Sequence, residues 1–285
     1  DHTMEIEASL HPEVKLTIYN AERKAKNQIR DIDKMIEQNV DVIIVAPYES
    51  DSIVPVIEKA RAKGIPVIIV DRKANTSEYT SFLGADNLEV GRLAGKHIAS
   101  KSNGSANVIE IIGDSNTSPG LERSLGFKQI VKQYPGIKVF SIYSDDYGHP
   151  KIDYAKLLDS LPNIDYVYSF NDLVAYNAWK IAKSKGLEKK IKFIGVDGLN
   201  GPFGGIQLVK DGVLESTILY PTGGSEAIKL ALRILNNEIV PKNNKLNTIV
   251  NDTKKLERKL QNKNSIIHCC LIDNKENYIL DFTSD

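Results

Sequence analysis

The sequence has little of what usually betrays a function. Its two cysteines, Cys269 and Cys270, are neighbours, which gives neither a disulfide framework nor a zinc-ligand spacing. Its five histidines (His2, His11, His97, His149, His268) are scattered without ligand spacing. Net charge is missing too. The 37 basic residues balance 37 acidic ones, which argues against a broadly basic nucleic-acid surface. No apolar run approaches the roughly 20 residues that span a bilayer, and no charged-then-apolar leader opens the chain. The expectation is a soluble chain, either cytosolic or freed of a targeting segment.

Catalytic signatures are also lacking. No glycine-rich turn follows the first strand pattern, as a dinucleotide site requires. Gly201-Pro202-Phe203-Gly204-Gly205 is rich in glycine, but no lysine with serine or threonine follows in phosphate-loop spacing. No Gly-x-Ser-x-Gly elbow occurs. Asp145 and Asp146 are adjacent on one loop, not opposed across a substrate as glycoside hydrolysis requires. The reading is therefore no enzyme, no metal and no cofactor.

What is present is alternation. At 285 residues, with 41% hydrophobic and 26% charged residues, the chain suits two globular domains. Gly64 and Pro66 end a helical pattern, and Val67-Ile68-Ile69-Val70 follows as a run with no polar residue. So short an apolar run reads as a strand buried on both faces, with Asp71 and Arg72 at its carboxyl end. Similar strands are predicted at 14–19 (Val-Lys-Leu-Thr-Ile-Tyr), 40–46, 81–84, 106–112, 137–143, 165–170, 191–196 and 214–219. Helical patterns separate them. The one at 119–134 is expected to turn Leu121, Leu125, Ile130 and Val131 inward, and Ser50 or Asp51 is expected to cap the one before Gly64. About nine strands before residue 220 suit two parallel α/β sheets with helices on both faces.

Polar groups collect just past strand after strand: Tyr48, Asp71-Arg72, Asp114-Ser115-Asn116, Asp145-Asp146-Tyr147, Asn171-Asp172, Asp197 and Tyr220. Open α/β sheets bind ligands at these ends, although Asn171 or Asp172 could equally cap the helix that follows. Acids accept from neighbouring hydroxyls, arginine donates from a fixed fork, and tyrosine rings can cover an apolar sugar face. Such a set suits a small polyol.

Several segments also carry a family pattern. They are Ile65-Pro66-Val67-Ile68-Ile69-Val70-Asp71-Arg72, Gly84-Ala85-Asp86-Asn87 followed by Gly91, and Glu122-Arg123 followed by Gly126-Phe127. Ser169-Phe170-Asn171-Asp172, Gly195-Val196-Asp197-Gly198 and Asp211-Gly212 come after them. In this order and spacing the chain resembles the periplasmic sugar-binding proteins of the ribose-binding type, which share their fold with the ligand-binding part of lactose-repressor-like regulators. Asp71-Arg72-Lys73, Leu199-Asn200-Gly201-Pro202 with Gly204-Gly205, and Leu219-Tyr220-Pro221-Thr222 look most like the extracytoplasmic sensor domains of hybrid two-component systems.

The resemblance implies a type I periplasmic-binding-protein-like α/β fold. Two Rossmann-like, three-layer lobes would flank a ligand cleft and share a three-segment hinge. Residues 1–85 with 221–247 would form one lobe, and 86–220 with 248–285 the other lobe and a tail. It implies that Asp71 and Arg72 bind sugar hydroxyls from one lobe, and Arg123, Asn171 and Asp197 from the other. Tyr147 takes the place of an aromatic that packs on the sugar. Tyr220 stands near a position where transport-type relatives use glutamine, and Asp114 replaces an apolar contact. The chain starts inside what corresponds to the family's first helix, so the family's first strand and its loop are expected to be absent. The implied partner is a monosaccharide, pentose or hexose, fructose-like ligands included, with no nucleic acid. The implied location is the periplasm, with any membrane attachment through segments outside this chain and a homodimer allowed. A periplasmic sensor of a hybrid histidine kinase is the first functional reading. A substrate-binding protein of an ABC sugar importer is the second, and a repressor effector domain or an enzyme stands behind both.

Overall fold

Val67-Ile68-Ile69-Val70 offers water nothing on either side, and the fold buries it on both. The computed structural model describes residues 2–144, 154–161 and 163–256. The first sheet comprises β1 (Ile43–Val45), β2 (Val67–Val70), β3 (Ser81–Ala85) and β9 (Asn243–Leu246), all parallel, in the order β1-β2-β3-β9. Alternate residues of β2 serve opposite faces, as the two-residue period of a strand demands. Val67 and Ile69 pack with Ile32 and Ile36 of α2 (Ala25–Glu37) and with Val56 and Ile57 of α3 (Val54–Ala62). Ile68 and Val70 pack instead with Ala227, Leu230 and Ala231 of α9 (Gly224–Leu235). Against α9 lies α1 (His2–Ser9), whose Glu7 accepts from Ser225 Oγ at 2.7 Å and lies 3.3 Å from Lys229 Nζ.

The second sheet repeats the plan. Its strands are β4 (Ser105–Ile112), β5 (Gly136–Tyr143), β6 (Tyr166–Ser169), β7 (Lys192–Asp197), β8 (Ser216–Leu219) and β10 (Val250–Asp252). The order is β10-β8-β7-β6-β4-β5, parallel except for β10, which runs antiparallel to β8. On one face Val108, Tyr168 and Ile194 meet α4 (Asn87–Lys101) and α5 (Ser118–Val131). On the other Ile109, Val167 and Phe193 meet α6 (Tyr154–Ser160), α7 (Asp172–Ser184) and α8 (Gly205–Lys210).

The chain passes between the sheets three times: from β3 to α4, from β8 to α9, and from β9 to β10. These passages are tied together. Asp86 caps α4 by accepting from Glu89 N at 3.1 Å, and its other oxygen lies 3.2 Å from Lys245 Nζ of β9. Thr248 Oγ1 donates to the carbonyl of Leu219, joining the third passage to the second.

Four local expectations fail, each for a physical reason. Residues 14–19 have the alternation of a strand but join neither sheet, because an alternating pattern becomes a strand only beside a neighbour that offers backbone partners. The strands before residue 220 are therefore β1 to β8, and β9 and β10 arise in the polar stretch after α9, where no apolar run announces them. Leu121 and Leu125 face outward, 51% and 54% exposed. The inward face of α5 carries Gly120, Arg123, Ser124, Phe127 and Val131, so a search for apolar periodicity picks the wrong side. Neither Ser50 nor Asp51 caps α3, whose N-cap is Ile53; Asp51 accepts from Asn75 instead, at 2.6 Å.

The two faces of α5 can be told apart by mutation. Phe127→Ala empties a fully buried site and should cost about 3–5 kcal/mol, whereas Leu125→Ser should stay within about 0.5 kcal/mol of the parent. Urea unfolding of both variants measures this.

Candidate ligand-binding cleft

Where the strand order turns back on itself, the carboxyl ends of a sheet leave a crevice. In the second sheet β4 has β5 on one side and β6 on the other, so the crevice lies past β4 and β6. Arg123 fills its floor. It is only 5% exposed, and a buried charge needs close polar partners. Nε donates to Asn87 Oδ1 at 2.9 Å, Nη1 donates to the carbonyl of Phe170 at 2.5 Å, and Asp197 Oδ1 lies 3.9 Å from Nη1. The guanidinium carbon stands 4.7 Å from the centre of the Tyr220 ring, within range of a cation–π attraction.

Glycines make this seat. A Cβ at Gly91 would lie 1.9 Å from the Arg123 carbonyl, and one at Gly126 would lie 2.0 Å from the carbonyl of Leu88. Without them α4 and α5 could not approach closely enough for Asn87 to reach Arg123.

The two acids that face the crevice sit in unusual backbone. Asp71 follows β2 with φ 64°, and Arg72 N donates to the Val70 carbonyl at 2.7 Å, closing a three-residue turn around it. Asp197 ends β7 with φ 115°. Residues other than glycine occupy this region at a cost of about 1–3 kcal/mol, and such residues gather at ligand sites. The acids come from different sheets, yet they are close enough for the charge of Asp71 to act on Asp197.

The titration of Asp197 reflects this setting. Its side chain keeps 37% of its surface open, yet protein groups crowd it on most sides. Loss of hydration therefore dominates and pushes its carboxyl up to about 6; Arg123 pulls it down, and Asp71 adds to the rise. Below it lies Asp172, 5% exposed, which accepts from Thr217 Oγ1 at 2.7 Å and from Gly198 N at 2.8 Å. Burial first, and the Asp197 charge second, raise Asp172 to about 7.

The structure thus brings Asp71, Arg123, Asp197 and Tyr220 together, with Arg72 beside Asp71. Arg72 Nε lies 3.9 Å from Asp71 Oδ2, and Nη1 donates to the Tyr48 carbonyl at 3.4 Å. Asn171 caps α7, its Oδ1 accepting from Val174 N at 2.8 Å. That bond uses only the carbonyl end of the amide and leaves both Nδ2 donors for another partner. Tyr147, with Asp145 and Asp146, lies outside the described residues. Asp114 is turned into its own loop, accepting from Asn116 N at 2.9 Å. Sequence reading passed over Asn87 and Asp172 as site residues. An asparagine directly behind a capping aspartate was the signal for the first. Nothing local signalled the second, since its partners Gly198 and Thr217 are distant in sequence.

Two parallel α/β sheets joined by three passages, with acids and a buried arginine converging between them, define a two-lobed binding protein. The chain belongs to the periplasmic binding protein family: the family model described as a periplasmic binding protein domain matches residues 4–239. The solved fructose binding periplasmic domain of hybrid two component system BT1754 is 35% identical, with 91% of this chain and 89% of that one covered at a TM-score of 0.85. The periplasmic binding protein component of the arabinose ABC transporter from Shewanella sp. ANA-3 is 26% identical, covering 91% and 88% at a TM-score of 0.83. The ribose import binding protein RbsB of Bacillus subtilis (strain 168) is 31% identical over 207 residues; the match takes in 72% of this chain and 66% of RbsB. The fold and family agree with the expectation from sequence. Among the described residues no helix is long and apolar enough to cross a membrane.

The raised acid beneath the cleft has a signature. A carboxyl whose folded pKa lies above its unfolded value, about 3.9, contributes stability that is complete below that value and lost as pH rises through the folded one. Asp172→Asn removes this loss. The variant should therefore gain on the parent steadily between about pH 4 and pH 7 and level off above that, as measured by urea unfolding without ligand.

Proposed function

We propose that the cleft binds a monosaccharide, a pentose or a hexose, and that the chain is the periplasmic sugar-sensing domain of a membrane-bound hybrid two-component histidine kinase. The convergence of Asp71, Asp197 and Arg123 from opposite sheets carries the binding part. Ionised carboxylates accept from adjacent hydroxyls, and a guanidinium donates in a fixed plane. Charge-assisted bonds of this kind contribute about 1.5–3 kcal/mol each, so a few give micromolar affinity. Asn171 and Arg72 supply further donors, and Tyr147 belongs to the same ligand set. No chemistry is done on the sugar.

The lobes are residues 1–85 with 221–247, and 86–220 with 248–285, the last segment serving as part of the second lobe and as a tail. A sugar touching both favours the arrangement in which they are closed, and that shift is the signal. Lys73, two residues beyond Asp71, bridges the gap. Its main-chain N–H donates to Ser118 Oγ at 2.9 Å and its Nζ bonds Glu122 at 2.7 Å, both on α5. The sensor role is supported by the likeness to the domain of BT1754. A second reading, the substrate-binding component of an ABC sugar importer, is supported by the arabinose and ribose relatives. Kinase chemistry and membrane attachment belong to segments outside this chain, and a homodimer is one way to pass closure on.

A thermal-shift screen of pentoses and hexoses tests the binding reading, since a ligand at 100 times its dissociation constant adds about 2.7 kcal/mol. Asp71→Ala should abolish the shift and leave the unliganded protein folded. A parent that no monosaccharide shifts would end the reading. Sugar-dependent phosphoryl transfer by the full-length gene product separates sensor from importer.

Lys73→Met should weaken the binding sugar by no more than about fivefold, because exposed ion pairs contribute under about 1 kcal/mol. X-ray scattering should show its sugar-bound form less fully closed than the parent's.

A further inference from the structure

Tyr220 has the position of a ligand residue but not the freedom of one. It is 4% exposed, and its groups are taken by the groups expected to hold the sugar. Its hydroxyl donates to the main-chain oxygen of Asp71 at 2.9 Å. Its ring lies 4.7 Å beneath the Arg123 guanidinium. Its main-chain N–H donates to the Asp197 carbonyl at 3.0 Å. One side chain therefore touches the turn that presents Asp71 in the first sheet and the guanidinium that lies over the second. It does so from the residue directly after β8, where the chain begins its passage between the sheets.

We infer that Tyr220 is a positioning residue, which fixes the spacing of Asp71 and Arg123 across the cleft and does not itself bind the sugar. The inference rests on the sugar-binding reading for its consequence, but its geometry does not need a ligand. The two parts of the side chain have separate tasks. The hydroxyl holds the three-residue turn at Asp71, whose left-handed backbone would otherwise relax. The ring holds the plane of Arg123, together with the hydrogen bonds to Asn87 and Phe170 and the Asp197 carboxylate.

Two variants separate these tasks. Tyr220→Phe keeps the ring and loses the hydroxyl; Tyr220→Leu loses both. Crystal structures of the unliganded variants should show the Asp71 turn displaced in both, and the guanidinium re-oriented only in Tyr220→Leu. With D-fructose and D-ribose as probes in calorimetry, Tyr220→Phe should weaken binding about five- to tenfold, the effect of one hydrogen bond. Tyr220→Leu should weaken it several-fold more. Asp71→Asn should cost much less in the Tyr220→Phe background than in the parent, whereas Arg123→Lys should cost the same in both.

Unmoved Asp71 and Arg123 in both variant crystals would overturn the proposal. So would an affinity loss in Tyr220→Phe with both residues in place, which would make the hydroxyl a direct sugar contact. If neither sugar binds the parent, nor any monosaccharide in the thermal screen, the function fails, and the unliganded crystals still decide the role of Tyr220.

Discussion

A guanidinium removed from water must be met by partners, and meeting Arg123 arranges much of this protein. Asn87 reaches it because α4 and α5 touch backbone to backbone at Gly91 and Gly126. The Phe170 carbonyl is available because β6 ends one residue earlier. Asp197 faces it from backbone that an acid rarely adopts, and the Tyr220 ring stands 4.7 Å from its carbon. Removing one partner of a buried ion pair typically costs about 3–5 kcal/mol, whereas an exposed pair such as Lys73 with Glu122 contributes a fraction of one. The floor of the cleft is therefore rigid and its outer clasp weak. That division suits a site whose geometry must persist while its lobes part and meet.

The acids carry the opposite burden. Asp71 and Asp197 come from different sheets yet near enough for the charge of one to act on the other, and Asp172 carries a raised carboxyl as well. Like charges and left-handed backbone both cost stability, and only the surrounding hydrogen bonds hold them in place. Hydroxyl groups arriving between the two acids would relieve that cost. The unliganded protein is therefore less stable than its core alone would make it.

Much of the architecture was legible because it depends on local chemistry. Val67 to Val70 could only be a strand covered on both faces, and the acids and amides beyond the strands marked the side on which a cleft would open. Failures came where the outcome depended on distant partners. Residues 14–19 have the composition of a strand and no ladder to join. The inward side of α5 was hidden because it carries glycine, serine and arginine where apolar residues were sought. Tyr220 stood among the tyrosines whose ring could cover a sugar face; that its hydroxyl is held by residue 71 and its ring by residue 123 is written nowhere near it in the chain. Asp172 stood beside Asn171 as a cleft group or a helix cap, because its partners Gly198 and Thr217 follow it by 26 and 45 residues.

The passage of the chain between the sheets also sets an order of assembly. Strands β4 to β8 are contiguous, from Ser105 to Leu219, and can pair as they are made. The first sheet cannot be finished when its first three strands are. β3 waits for β9, Phe82 pairing with Asn243, and the face carrying Ile68 and Val70 waits for α9. During synthesis, which proceeds from the amino end, the earlier-made sheet must keep that apolar face uncovered until the later one has emerged. Closing so long a loop is slow. The sheet made first thus stays unfinished until α9 and β9 have emerged, and a ribosome that stalled before residue 224 would leave its Ile68 and Val70 face exposed.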